Sequence, residues 1–107
     1  MPASRYKNGD ELSFIPVLFL FLMMYFIYII YSQTRNRYYI GSCANLEIRL
    51  NRHNAGATQS TKNGRPWKMV YHESFPSKTD AIKREIYLKK MKSRIYVEKL
   101  IQEYEQS

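Results

Sequence analysis

The stretch from Tyr28 to Gly41 (YIIYSQTRNRYYIG) constrains the fold more than any other: two runs of aromatic and β-branched residues flank a short polar turn containing Asn36. Such side chains fit a pleated surface and the polar residues between them favour a turn, so the stretch predicts a β-hairpin. Each run carries a tyrosine, Tyr28 in the first and Tyr39 in the second. Gly41 follows Tyr39 by two positions; having no Cβ, it lets another backbone or a phosphate come close.

The residues ahead of the hairpin allow two readings. Phe14 to Tyr31 is an uncharged run of eighteen residues broken only by Pro16, near the lower limit of the about 20 residues that cross a bilayer. It is either one membrane helix or a short apolar leader followed by a strand. The hairpin needs Tyr28 to Tyr31 as a strand, which leaves residues 14–24, too short to span, as the only membrane contact. No small-residue cleavage site follows the leader, as a signal peptide would require. The chain therefore divides into an apolar N-terminal extension, residues 1–23, and a domain, residues 24–107. The expected location is cytoplasmic, with membrane anchoring through the extension as the alternative.

Charge points to a polyanionic partner. Arg5 and Lys7 balance Asp10 and Glu11, so the whole net charge of +8 falls on residues 24–107. A basic surface of that size suits nucleic acid; the plainer alternative is a solubilising surface. Cys43 is the only cysteine, which rules out an internal disulfide and reads as a small buried side chain.

Beyond Gly41 the pattern becomes helical. Asn45 to Gly56 opens on a capping residue, has Glu47 in its first turn and closes on glycine, the punctuation of an α-helix. On it Arg49 and His53 lie one turn apart and face the hairpin. Ala57 to Pro66 is a loop of hydroxyl and basic residues long enough to wrap a ligand, and Trp67 to Phe75 reads as a third strand. Ser77 and Asp80 start a second helix through Ala81, Ile82, Ile86, Leu88 and Met91, and Ser93 caps a third with Val97, Leu100, Ile101 and Tyr104 on one stripe. Glu85 projects into the apolar stripe of the second helix. A carboxylate there needs a cation, a metal or a cleft, and a salt bridge to Arg49 or a lysine is the structural alternative. His72 in the third strand reads as structural. The sequence has no Cys/His metal cluster, Walker loop or Ser/His/Asp arrangement.

Taken together, Tyr39-Ile40-Gly41, Tyr28, Arg49 with His53, Ser60-Thr61-Lys62 before Arg65-Pro66-Trp67, and Lys83-Arg84-Glu85 resemble the GIY-YIG nuclease family in its small stand-alone, single-domain form. Phe26-Ile27-Tyr28 departs from the first half of the name motif, with phenylalanine where the family has glycine; Ser42 stands where some relatives carry lysine. Chains of this kind commonly begin with a methionine before the first strand, so a start at Met23 or Met24 is expected. The resemblance implies an α/β (α+β) sandwich, a three-stranded antiparallel sheet flanked by three helices in the order β-β-α-β-α-α. It implies an endonuclease that hydrolyses DNA phosphodiester bonds, leaving 5′-phosphate and 3′-hydroxyl ends, with DNA repair as the expected setting. Glu85 would hold a single divalent cation, Mg2+, and Arg49 the scissile phosphate; Tyr39 would help activate water, with Tyr28 and His53 in its hydrogen-bond network. Gly41, Ser42, Lys62, Arg65, Lys89 and Lys90 would meet the nucleic acid. DNA is the expected partner, with RNA open and no small-molecule cofactor. Two alternatives stand beside this reading, a non-catalytic nucleic-acid-binding module of the same fold and a membrane-anchored version of the nuclease.

Overall fold

The computed structural model describes residues 16–106. Ahead of the sheet a short helix, α1 (Val17–Leu22), leaves Val17, Leu18 and Leu22 exposed, and no helix among the described residues is long and apolar enough to cross a membrane. A single helix over residues 14–31 is thereby corrected, because Tyr25–Ser32 forms strand β1. The expectations for residues 1–15 lie outside the described residues.

β1 pairs antiparallel with β2 (Arg37–Cys43) on one side and β3 (Trp67–Phe75) on the other. Phe26, Ile27, Tyr28, Ile29 and Ile30 are all buried, because a central strand covered on both faces has no polar side. That is why β1 continues the hydropathy of the leader. At the hairpin tip Asn36 has φ 50°, a left-handed conformation that asparagine tolerates better than most residues. Its Oδ1 accepts hydrogen bonds from the Tyr31 hydroxyl at 2.8 Å and from Arg94 at 2.7 Å.

Helix α2 (Leu46–Asn54) covers one face of the sheet, with Leu46 and Leu50 against Tyr28, Ile30, Cys43 and Trp67. Helices α3 (Lys78–Met91) and α4 (Arg94–Gln106) cover the other, burying Ala81, Leu88, Val97 and Ile101 against Ile27, Ile29 and Tyr71. The expected caps form: Asn45, Ser77 and Ser93 side chains accept the N–H groups of Ile48, Asp80 and Tyr96 at 2.9, 3.2 and 3.1 Å. The β-β-α-β-α-α order and the α+β class expected from the sequence are both present. Ile86 and Met91, expected on the buried stripe of α3, are instead exposed, because two helices share this face and α3 turns only Ala81 and Leu88 fully inward.

β3 alternates imperfectly for a structural reason. Its register against β1 shifts between Ile29 and Ile30, leaving Val70 as an extra residue between Met69 and Tyr71. The bulge resets parity, so Trp67 and Met69 join the α2 face while Tyr71 and Phe75 join the α3 face. Beyond the bulge Glu73 accepts two hydrogen bonds from Arg84, each 3.0 Å, and one from the Tyr71 hydroxyl. Burial pushes the Glu73 carboxyl up, but Arg84 and Tyr71 outweigh it and hold the group below its ordinary 4.5. The folded state thus binds this proton more weakly than the unfolded state does. The stability Glu73 contributes is complete above pH 4.5 and disappears as pH falls through its lowered folded value. Melting temperatures taken from neutral pH downward should drop in that window, and drop less steeply for Glu73→Gln.

Candidate active site

The site lies at the outer edge of β2, which α2 approaches from one face and α3 from the other. Its deepest part is a buried chain of polar groups. The Tyr28 hydroxyl is 2.8 Å from Nε2 of His53, and Nδ1 of His53 is 2.7 Å from the Thr61 hydroxyl. All three side chains are at most 1 % exposed. Thr61 belongs to a 3-10 helix, Gln59–Gly64, that folds the expected loop back onto α2. The loop is held there because the Trp67 indole donates to the Thr61 carbonyl at 2.7 Å, and Asn54 brackets the Trp67 backbone at 2.6 and 3.0 Å.

Burial pushes the Tyr28 phenol up to about 12, with the Arg49 guanidinium beside it pulling the other way. Burial, then the charges of Arg49 and Arg52, lower the pKa of His53. Both groups are therefore neutral near pH 7, a phenol beside an imidazole that can take up its proton. Tyr39 meets the other side of His53 edge-on, with ring centroids 5.2 Å apart. Among the described residues no hydrogen bond joins the Tyr39 hydroxyl to Tyr28 or His53.

Ser42 ties the two helices to the strand edge. Its carbonyl accepts from Nη1 of Arg49 at 3.1 Å, and its hydroxyl donates to Oε1 of Glu85 at 2.6 Å. The arginine of α2 and the carboxylate of α3 are thus fixed on opposite sides of one residue. Glu85 also forms an ion pair with Lys89 at 2.6 Å, and the Lys89 ammonium lies 5.7 Å from the Tyr39 ring centre. Glu85 has its side chain 18 % exposed, at the rim of the apolar stripe rather than its middle. No group of three or more His, Cys, Asp or Glu side chains that could hold a metal occurs among the described residues. The carboxylate is nonetheless the kind of hard oxygen donor a divalent cation takes, since Mg2+ binds one or two protein carboxylates and completes its shell with water and substrate oxygens.

Several expected nucleic-acid contacts have other occupations. Gly41 pairs across the sheet with Tyr28, and a Cβ there would lie 2.4 Å from the Tyr28 hydroxyl oxygen. Its open side is filled by the tyrosine ring rather than left for a phosphate. The Ser42 hydroxyl and Lys89 are engaged by Glu85, while Lys62 and Arg65 line a separate open depression with Asn54, Asn63 and Pro66. Lys90 is exposed. Gly41→Ala should cost about 1–3 kcal/mol through overpacking against a ring that cannot move. Thermal melting would show it as a drop of roughly 4–8 °C per kcal/mol.

Thr61 belongs to the site, although the sequence marks it only as part of the Ser60-Thr61-Lys62 motif and gives it no role. A threonine in a hydroxyl-rich loop carries no mark of burial, and only its position eight residues after His53 placed it within reach of α2.

The model of the GIY-YIG catalytic domain matches residues 24–101. A UPF0213 protein of Staphylococcus haemolyticus is 39 % identical over 66 residues, covering 61 % of this chain and 79 % of that protein. A UPF0213 protein of Clostridium perfringens is 39 % identical over 69 residues, 64 % of this chain and 73 % of its own length. The UPF0213 protein YazA of Bacillus subtilis is 33 % identical over 78 residues, 69 % of this chain and 78 % of its own.

Proposed function

Because the chain belongs to the GIY-YIG nuclease family, we propose that it is a divalent-metal-dependent endonuclease that hydrolyses DNA phosphodiester bonds. One observation carries the reading: Arg49 and Glu85, from helices on opposite faces of the sheet, converge on Ser42 beside the buried Tyr28–His53 pair. Arg49 spends one N–H on the Ser42 carbonyl, which leaves other guanidinium donors for phosphate oxygens. The Tyr28 oxygen takes a proton from the attacking water as its own proton passes to Nε2 of His53. No free phenolate is needed, which matters for a phenol pushed up to about 12 by burial. The hydroxide attacks phosphorus, the bond to the 3′-oxygen breaks, and that oxygen leaves with a proton from solvent, giving 5′-phosphate and 3′-hydroxyl ends. Glu85 is the residue that would hold a Mg2+ ion. Such an ion stabilises the negative charge that builds on the phosphoryl oxygens.

A second reading, a nucleic-acid-binding module without catalysis, is favoured by the ion pair of Glu85 with Lys89. In that reading the carboxylate is only structural. DNA is the proposed substrate over RNA, and the cytoplasm the proposed location. Labelled single-stranded, branched and duplex oligonucleotides test both readings. Under the first, binding weakens steeply with salt and varies little with sequence, and cut products form when Mg2+ is added. Salt-dependent binding without cutting on any substrate selects the binding module, and binding indifferent to salt rejects both.

A further inference from the structure

We infer that Thr61 is a positioning residue that holds His53 in the Nδ1–H tautomer, so that Nε2 is left as the proton acceptor for Tyr28. The inference rests on the Tyr28–His53 relay proposed above and assigns the group that sets its direction.

The protons in this closed space can be counted. A neutral imidazole carries one N–H, and which nitrogen bears it is fixed by the partner of the other. Here both nitrogens face hydroxyls, Tyr28 on Nε2 at 2.8 Å and Thr61 on Nδ1 at 2.7 Å. Each hydroxyl can donate one hydrogen and accept others. The Thr61 hydroxyl has a second partner, the carbonyl of Thr58 at 3.3 Å, which can only accept. Thr61 therefore gives its hydrogen to Thr58 and receives that of Nδ1. Nε2 is left with a lone pair, and the Tyr28 hydroxyl donates to it. The opposite arrangement, with the hydrogen on Nε2, would leave the Thr58 carbonyl with only the Thr61 backbone N–H at 3.2 Å and put an N–H against Tyr28, so Nε2 could not take the phenol's proton.

The fold keeps Thr61 in place by means that do not involve His53. Trp67 donates its indole N–H to the Thr61 carbonyl at 2.7 Å, and a Cβ on Gly64 would lie 2.3 Å from Cζ2 of the same ring. The 3-10 helix and the start of β3 thus lock together around Trp67 and present the hydroxyl to the imidazole. When Nε2 takes the proton from Tyr28, Nδ1–H stays bonded to Thr61. The imidazolium then has an acceptor on one side and the Tyr28 oxygen, now bearing the water's proton, on the other.

The test reads the tautomer directly. The chain has two histidines, at positions 53 and 72, so imidazole 15N spectra can be assigned with His72→Gln. In the unaltered protein near neutral pH, Nδ1 of His53 should carry the hydrogen and Nε2 should show the shift of an unprotonated nitrogen. Thr61→Val removes the acceptor while keeping the shape, and the hydrogen should move toward Nε2. Cleavage should then fall ~10- to 100-fold in kcat, no more than the lower end of the ~10²–10⁴-fold that general acid–base groups contribute because Thr61 acts through His53, with KM little changed. Thr61→Ser keeps the hydroxyl and should restore both the tautomer and the rate. An Nε2–H tautomer in the unaltered protein overturns the inference whether or not Thr61→Val folds. So does a Thr61→Val protein that keeps Nδ1–H and the parental rate. If His53 is Nδ1–H but Tyr28→Phe cuts normally, the tautomer assignment stands and the proposed relay falls.

Discussion

Replacing Glu85 with glutamine is expected to lower DNA cleavage by ~10³-fold, the rate equivalent of about 4 kcal/mol of transition-state charge stabilisation, while leaving the melting temperature nearly unchanged. The amide preserves the size of the side chain, and its oxygen can still accept from Ser42, which now donates at 2.6 Å. Only the charge proposed to attract the metal is lost. Stability should change little because the pair with Lys89 is a surface pair one helical turn apart, with Lys89 48 % exposed. Such pairs contribute about 0.3–0.5 kcal/mol, and the freed ammonium returns to water. DNA binding without metal should hold or tighten, since a negative charge leaves the cleft. A Glu85→Gln protein that melts early and cuts at the parental rate would assign Glu85 to structure alone.

The second large effect is expected from Tyr28→Phe, and it combines two losses. Removing the hydroxyl breaks the proposed path for the water's proton, a loss of ~10²–10⁴-fold in cleavage. It also leaves Nε2 of His53, in a side chain 1 % exposed, without its partner at 2.8 Å. A buried polar group stripped of its hydrogen bond costs about 1–3 kcal/mol, so this variant should melt measurably lower. Tyr39→Phe is the informative contrast, because the Tyr39 ring touches His53 edge-on and its hydroxyl is bonded to neither member of the pair. It should retain parental stability. A Tyr28→Phe protein with unchanged melting and unchanged cleavage would show that the pair has no part in the reaction.

The hairpin was legible from sequence because its constraint is local: β-branched and aromatic runs around Asn36 have few other uses. Burial of Tyr25–Ser32 between two helical layers made that strand apolar on both faces, and its hydropathy ran on into the leader. A continuous apolar run carries no internal mark of where a helix ends and a central strand begins. The bulge at Val70 shifts the parity of β3 through its register against β1, a fact of pairing that the strand's own residues do not carry. Arg49 and His53 could be placed together because helical geometry fixes neighbours one turn apart. The link from His53 to Thr61 and the meeting of Glu85 with Ser42 join separate elements, so they depend on how the layers stack. Glu85 stands out in the sequence as an anomaly on an apolar helix, but its partner Lys89 is exposed and by sequence alone reads as a nucleic-acid contact.

The proposed cutting of DNA by this basic GIY-YIG domain, through Glu85 and a divalent cation, can be followed with a 5′-labelled branched DNA and the purified full chain while Mg2+ is added and then removed with EDTA. Shorter products ending in 3′-hydroxyl are expected, absent without metal and abolished by the chelator, with EDTA leaving DNA binding intact. Cleavage that persists in EDTA, or undiminished binding with no product at any Mg2+ concentration, would contradict the proposal.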